Sequence, residues 1–196
     1  MSNTKSVKKV RPGFYGWFAL AGVMLVVFTI GGLFVQTFGV FLPVLTEYFG
    51  WARGSVALAL SIGIMAFGLP SPLFGVIVAR LGPKKALVWG NLLAVIGVAL
   101  LSLVQQTWHM YALYAFIGFT AGFGGYVACT SVVANWFVNK RPLALGLFTA
   151  SGGIGGFVFP PLAASLIEAL GWQLAWVTLA GIVFLIGVVL GGMILT

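Results

Sequence analysis

Charge is what this chain has least of. Only 12 of 196 residues are charged, ten Lys or Arg and two acids, which makes 6% against roughly 25% in an average soluble domain. The two acids, Glu47 and Glu168, stand 121 positions apart, so the sequence offers no carboxylate pair for general acid and base work. His109 is the one histidine and Cys129 the one cysteine. A metal site needs several such ligands together, and a nucleophilic serine needs a base beside it; His109 falls in the polar patch Gln105 to Met110, away from any serine inside an apolar run. A lone cysteine makes no internal disulfide and reads as a small packing residue. Enzyme, metal and cofactor chemistry are therefore not expected.

Hydrophobic residues make up 61% of the chain. The charge-free runs cover 12–46, 54–79, 86–139, 142–167 and 169–196, and each is long enough for the roughly 20 residues that one membrane-spanning helix needs. The sequence thus describes an all-α integral membrane protein. The net charge of +8 has no soluble core to support a nucleic-acid face, so no nucleic acid is expected, and the positive charge answers to lipid and topology. The basic start MSNTKSVKKVR precedes an apolar run too long for a secretory signal, which makes it a retained first helix.

The run 86–139 is too long for one crossing, and QQTWHM in its middle marks a hairpin. Six helices follow, at 14–42, 54–79, 85–105, 108–137, 142–167 and 172–194, behind a basic arm at 1–13. Six spans put Lys5, Lys8, Lys9, Arg11, Arg80, Lys84, Lys85, Lys140 and Arg141 on one face and Arg53 alone on the other. A single crossing at 86–139 would move Lys140 and Arg141 and weaken the asymmetry to seven against three. Because Lys and Arg of short loops concentrate on the cytoplasmic side, both termini are expected in the cytoplasm, in a multi-pass plasma or inner membrane.

A shift of 88 positions lays YFGWARGSVALAL, from Tyr48, over WFVNKRPLALGLF, from Trp136, and matches Arg53 with Arg141, Gly68 with Gly156 and Pro72 with Pro160. The offset spans three helices, an odd number. Two three-helix repeats, at about 14–105 and 108–194, would then be inverted relative to each other, a construction principle of secondary transporters. GFTAGFGGY in the fourth helix and ASGGIGGFVFPP in the fifth are rich in small residues, which let helices pack closely in lipid. The same glycines, with Pro70, Pro72, Pro160 and Pro161, read equally as points where a moving helix bends.

Neutral polar residues remain inside the spans: Gln36, Thr37, Ser61, Tyr126, Thr130, Ser131, Asn135, Thr149 and Ser151. Hydroxyls can bond backwards to their own helix, whereas the amide of Gln36 and the phenol of Tyr126 need partners and can reach substrate oxygens.

GVIVARLGPKK, from Gly75, resembles the loop signature of the major facilitator superfamily: Gly75, Arg80, Gly82, Lys84 and Lys85 fit it. Ala79 stands in place of the signature Asp that helps latch the inward gate, and Pro83 in place of a basic residue. GVFLPVLTEYFGWARGSVALALS, from Gly39, and ANWFVNKRPLALGLFTASGGIG, from Ala134, are similar to the monocarboxylate-porter and oxalate:formate-antiporter branch. The resemblance implies one half of a twelve-helix carrier that moves a small organic anion by alternating access, with a coupling proton or counter-anion. It also implies a second six-helix half as partner, in the same chain or as a homodimer. It assigns substrate contact to Gln36 and Tyr126, and a cytoplasmic gate to Gly75, Arg80, Gly82, Lys84 and Lys85; Asn135 and Ser151, from the neutral polar set, are further expected substrate-binding residues. Lys140 and Arg141 form the facing loop between helices four and five. The competing reading is a six-helix membrane protein with a structural or partner-binding role, or an inactive fragment.

Overall fold

The computed structural model describes residues 14–137 and 140–190. The basic arm and the expected end of the sixth helix at 194 lie outside them. Five helices are long and apolar enough to cross a membrane, and six do so when a bent pair counts as one span.

The first span comprises α1 (Phe14–Ile30), a π-helical turn (Gly31–Gln36) and α2 (Phe38–Phe49). It runs seven residues beyond the expected 42, since Pro43 sits inside α2 without ending it. Gly50 ends it, in the left-handed region at φ 67°. The second span is α3 (Arg53–Gly68) and α4 (Ser71–Leu81), bent by 52°. Proline lacks the amide that would continue the ladder, and Pro70 lies at this bend between the two helices, as the sequence led one to expect. The third span is α5 (Pro83–Leu100), which runs on through the short turn Leu101–Leu103. The fourth is α6 (Thr107–Thr120), a second π-helical turn (Ala121–Val127) and α7 (Ala128–Trp136). The fifth, α8 (Arg141–Leu170), continues through Pro160 and Pro161 without a break, so these prolines do not divide it as Pro70 divides the second span. The sixth is α9 (Trp172–Val183) followed by a third π-helical turn (Phe184–Leu190).

Two apolar clusters fill the bundle. One contains Phe34, Phe38, Phe41, Tyr114, Phe159 and Trp176 and lies towards the turns at 50–52, 104–106 and 171. The other contains Leu20, Val23, Leu87, Val133, Phe137 and Phe148 and lies towards Gly82 and Lys140. Between the clusters the helices touch through their backbones. A Cβ at Gly118 would overlap the carbonyl oxygen of Gly63, joining α6 to α3, and one at Gly124 would overlap the Cα of Gly90, joining the second π turn to α5. One at Gly155 would overlap the carbonyl oxygen of Phe28, joining α8 to α1. Lipid gives apolar helices no reason to leave it for one another, so association depends on such close van der Waals contact. The packing role of the glycines is thus real at these positions. Gly146, Gly153 and Gly181 have open space beside them.

Candidate functional site

The glycine-lined waist is also where the helices depart from α geometry. A π turn inserts an extra residue, widens the helix and is frequent at functional sites. Two of the three π turns, Gly31–Gln36 and Ala121–Val127, face one cavity of about 370 Å³, open on one side. The first span contributes Val27, Ile30, Gly31, Phe34 and Val35, and the second span Ile64 and Phe67. Tyr126 comes from the fourth span, and Thr149 and Gly152 from the fifth.

Tyr126 lies at this wall with its side chain 43% exposed. Its ring meets Phe67 edge-on at 6.0 Å and Phe148 at 5.4 Å, contacts that fix the ring while leaving the phenol oxygen free to hydrogen-bond. Phe34 continues the aromatic surface, 6.4 Å from Phe67. Thr149 adds little polarity, because its hydroxyl donates to the carbonyls of Leu145 or Gly146 at 3.0 Å.

The other expected contacts fall in different places. Gln36 closes the first π turn, exposed, with its amide beside Gly156. A Cβ at Gly156 would stand 2.9 Å from Gln36 Cγ and 3.2 Å from its Nε2, so this glycine gives the Gln36 side chain its place against α8. Asn135 is exposed in the last turn of α7, away from the cavity lining. Ser151 is buried, and its hydroxyl donates to the Phe148 carbonyl at 2.6 Å. Thr37, Thr130 and Ser131 likewise donate to their own helices, as the capacity of Ser and Thr to bond backwards predicts. The cavity therefore brings Tyr126 together with apolar walls, sets Gln36 a residue beyond its edge, and leaves Asn135 and Ser151 outside its lining.

One polar residue inside the bundle was not foreseen. Asn91 of α5 is 1% exposed; its amide nitrogen donates to the Leu87 carbonyl at 2.8 Å, and its Oδ1 has no partner among the described residues. It borders a cavity of about 20 Å³ shared with Thr29. The only signal in the sequence was an asparagine within an otherwise apolar helix. The π turns, too, had a signal: glycine pairs at 31–32 and 124–125 inside runs that otherwise read as regular helix.

The basic residues sit at helix ends. Arg80 lies in the last turn of α4, and Lys84 and Lys85 open α5 just after Pro83. Between them Gly82 adopts φ 85° and ψ 142°, a conformation for glycine that a Cβ strains. Gly75, Arg80, Lys84, Lys85, Lys140 and Arg141 are all exposed. None of the described lysines or arginines lines the large cavity, and no three of the described His, Cys, Asp and Glu residues group as metal ligands.

Known proteins extend this picture. Monocarboxylate transporter 13 of Rattus norvegicus is 29% identical over 164 residues, covering 82% of this chain and 37% of that protein. Monocarboxylate transporter 12 of Homo sapiens is 29% identical over 188 residues, covering 93% of this chain and 36% of that protein. The fujikurins efflux protein of Gibberella fujikuroi is 30% identical over 118 residues, covering 58% of this chain and 24% of that protein. The chain thus spans little more than a third of the length of the monocarboxylate transporters that it matches. The Major Facilitator Superfamily profile matches residues 13–196. That family consists of transporters and not enzymes, which agrees with a sequence devoid of a catalytic set. With six apolar spans, one of them bent, and a match over nearly its whole length, this multi-pass membrane chain belongs to the Major Facilitator Superfamily.

Proposed function

We infer that this chain is one half of a secondary transporter that moves a small organic anion, such as a monocarboxylate, by alternating access. The observation that carries the reading is the 370 Å³ cavity, open on one side and walled by two π turns at mid-span. Transporter sites lie near the bilayer midplane, where repeats meet and helices are irregular. Similarity to proteins named monocarboxylate transporters supports the substrate class.

The second half is a further six-helix unit of the same gene product, with a homodimer as the alternative. The fifth span supports such a partner: it is apolar, yet only 28% buried where the fourth is 61% buried. Residues 14–105 and 108–194 form the two inverted repeats, and α3 and α8 begin at the matched arginines Arg53 and Arg141. The termini and the basic loops face the cytoplasm. Arg80, Lys84 and Lys85 shape a gate with Lys140 and Arg141 nearby, and Ala79 leaves that gate without the acidic latch. A proton or counter-anion couples transport.

Tyr126 and Gln36 touch substrate oxygens, while Asn135 and Ser151 shape the surrounding helices. The test is uptake by the full gene product carrying Tyr126→Phe, Gln36→Ala or both. Loss of a hydrogen bond to a charged group costs about 1.5–3 kcal/mol, so uptake should drop at least about tenfold in the double variant. Unchanged uptake at normal expression would remove these residues from the site.

A further inference from the structure

The large cavity differs sharply from a carboxylate-binding site. Its lining holds two polar groups. Thr149 has committed its proton to α8, which leaves the Tyr126 phenol as the one free donor at this wall. A carboxylate taken out of water needs a cation or several charge-assisted hydrogen bonds, and the described Arg and Lys residues all sit at helix ends. The remaining surface is aliphatic and aromatic, with Phe34, Phe67 and Tyr126 forming a corner that presents ring edges and faces. Aromatic partners prefer such edge-to-face and offset arrangements.

We propose that this half of the carrier binds chiefly the apolar body of its substrate and meets the carboxylate only through neutral donors, so that the cargo is a monocarboxylate bearing a branched or aromatic group. This rests on the organic-anion reading above and deepens it. The body lies along Ile64, Phe34 and Phe67. The carboxylate points away from these walls, reached from this half by Tyr126 and Gln36 alone, and its counter-charge comes from elsewhere in the carrier. Size agrees: a closed cavity of about 150 Å³ is enough for benzene, and the 370 Å³ here accommodates a ring with a short chain. Compact acids such as formate, acetate and oxalate would leave these walls wet and gain little from them.

The experiment is counterflow by the full gene product in liposomes, with the series acetate, butyrate, 3-methylbutyrate and 3-phenylpropionate, and with formate and oxalate as compact controls. Each methylene that reaches the wall should raise kcat/KM by about fourfold, so 3-phenylpropionate should exceed acetate at least about tenfold. Phe67→Leu keeps apolar bulk and preserves packing, and it should lower the ratio of 3-phenylpropionate to butyrate by about 2- to 10-fold. A ratio between two substrates is independent of expression level. Preference for formate, acetate or oxalate would overturn the apolar-body assignment while leaving an organic-anion carrier intact. An unchanged ratio in Phe67→Leu would remove Phe67 from the wall and overturn the assignment too. Exchange of a neutral or cationic solute with none of these acids would overturn both readings.

Discussion

Replacing Gly155 by alanine tests whether the waist of the bundle is held by direct backbone contact. A Cβ at this position would overlap the Phe28 carbonyl oxygen, with the carbonyl carbon at 2.9 Å and the Gly32 nitrogen at 3.2 Å. All three atoms belong to backbone, so no rotamer change makes room, and α8 must move away from the first span. Overpacking a close-packed site costs about 1–3 kcal/mol, and a backbone-on-backbone clash belongs at the upper end. Gly153, on the same helix, has no heavy atom within 4 Å of its Cβ position. There alanine gains about 0.5–1 kcal/mol from helix propensity. Both glycines lie inside α8, so the propensity gain is common to them and the two variants should differ by the clash alone, roughly 2–3 kcal/mol. At about 2–4 °C per kcal/mol for a chain of this size, the melting temperatures should lie on the order of 4–12 °C apart. Cys129 supplies the reporter: it is the only cysteine in the chain and fully buried, so a thiol-reactive label on its peptide, read by mass spectrometry, follows opening of the bundle. Melting temperatures within about 2 °C of each other would refute backbone contact as the force holding α8 to the first span.

Other variants probe separate parts of the structure. Gly82→Ala puts a Cβ on a residue at φ 85° and should cost about 1–3 kcal/mol, whereas Gly75→Ala, inside α4 with open space beside it, should gain about 0.5–1 kcal/mol from helix propensity; a loss at both positions would contradict the turn geometry. Asn91→Leu removes a buried oxygen that has no partner among the described residues. Stability measured with the same label should stay level or rise by about 1 kcal/mol, and a clear loss would mean that Oδ1 holds a hydrogen bond to water. Phe159→Ala empties a fully buried site whose ring meets Phe28 at a tilt and should cost about 3–5 kcal/mol; a loss below 1 kcal/mol would show the crossing to be loosely packed. Single cysteines at Lys84 and Arg53, in a background lacking Cys129, should react with an impermeant reagent from opposite sides of the membrane, Lys84→Cys from the cytoplasm. Reaction from the same side would contradict the six-span topology.

Composition and periodicity made most of the fold legible. A spanning helix needs only about 20 uncharged residues, so the charge-free runs located all six spans, and QQTWHM divided the longest one where Gln106 precedes α6. The ends shifted by a few residues because in lipid Pro43 does not stop a helix that Gly50 can stop. Signature residues within the chain, from Gly75 to Lys85, pointed to the family for the same local reason: a turn that requires Gly82 and the basic residues beside it can be read from consecutive letters.

Which glycines touch was decided only by the tertiary structure. Gly153 and Gly155 are alike in sequence, but a helix presents residues two apart to different sides, so one meets Phe28 and the other open space. The cavity likewise gathers residues from four spans far apart in the chain. Nothing local to Phe34, Ile64 or Phe67 marks them as neighbours of Tyr126, and the hydroxyl of Ser151 looked available until its helix supplied the acceptor. The sequence by itself determined that this chain lies in a membrane and how often it crosses, since those depend on the free energy of single segments in lipid. Where the crossings meet, and what space they leave, depends on contacts between segments, and these exist only once the helices have packed.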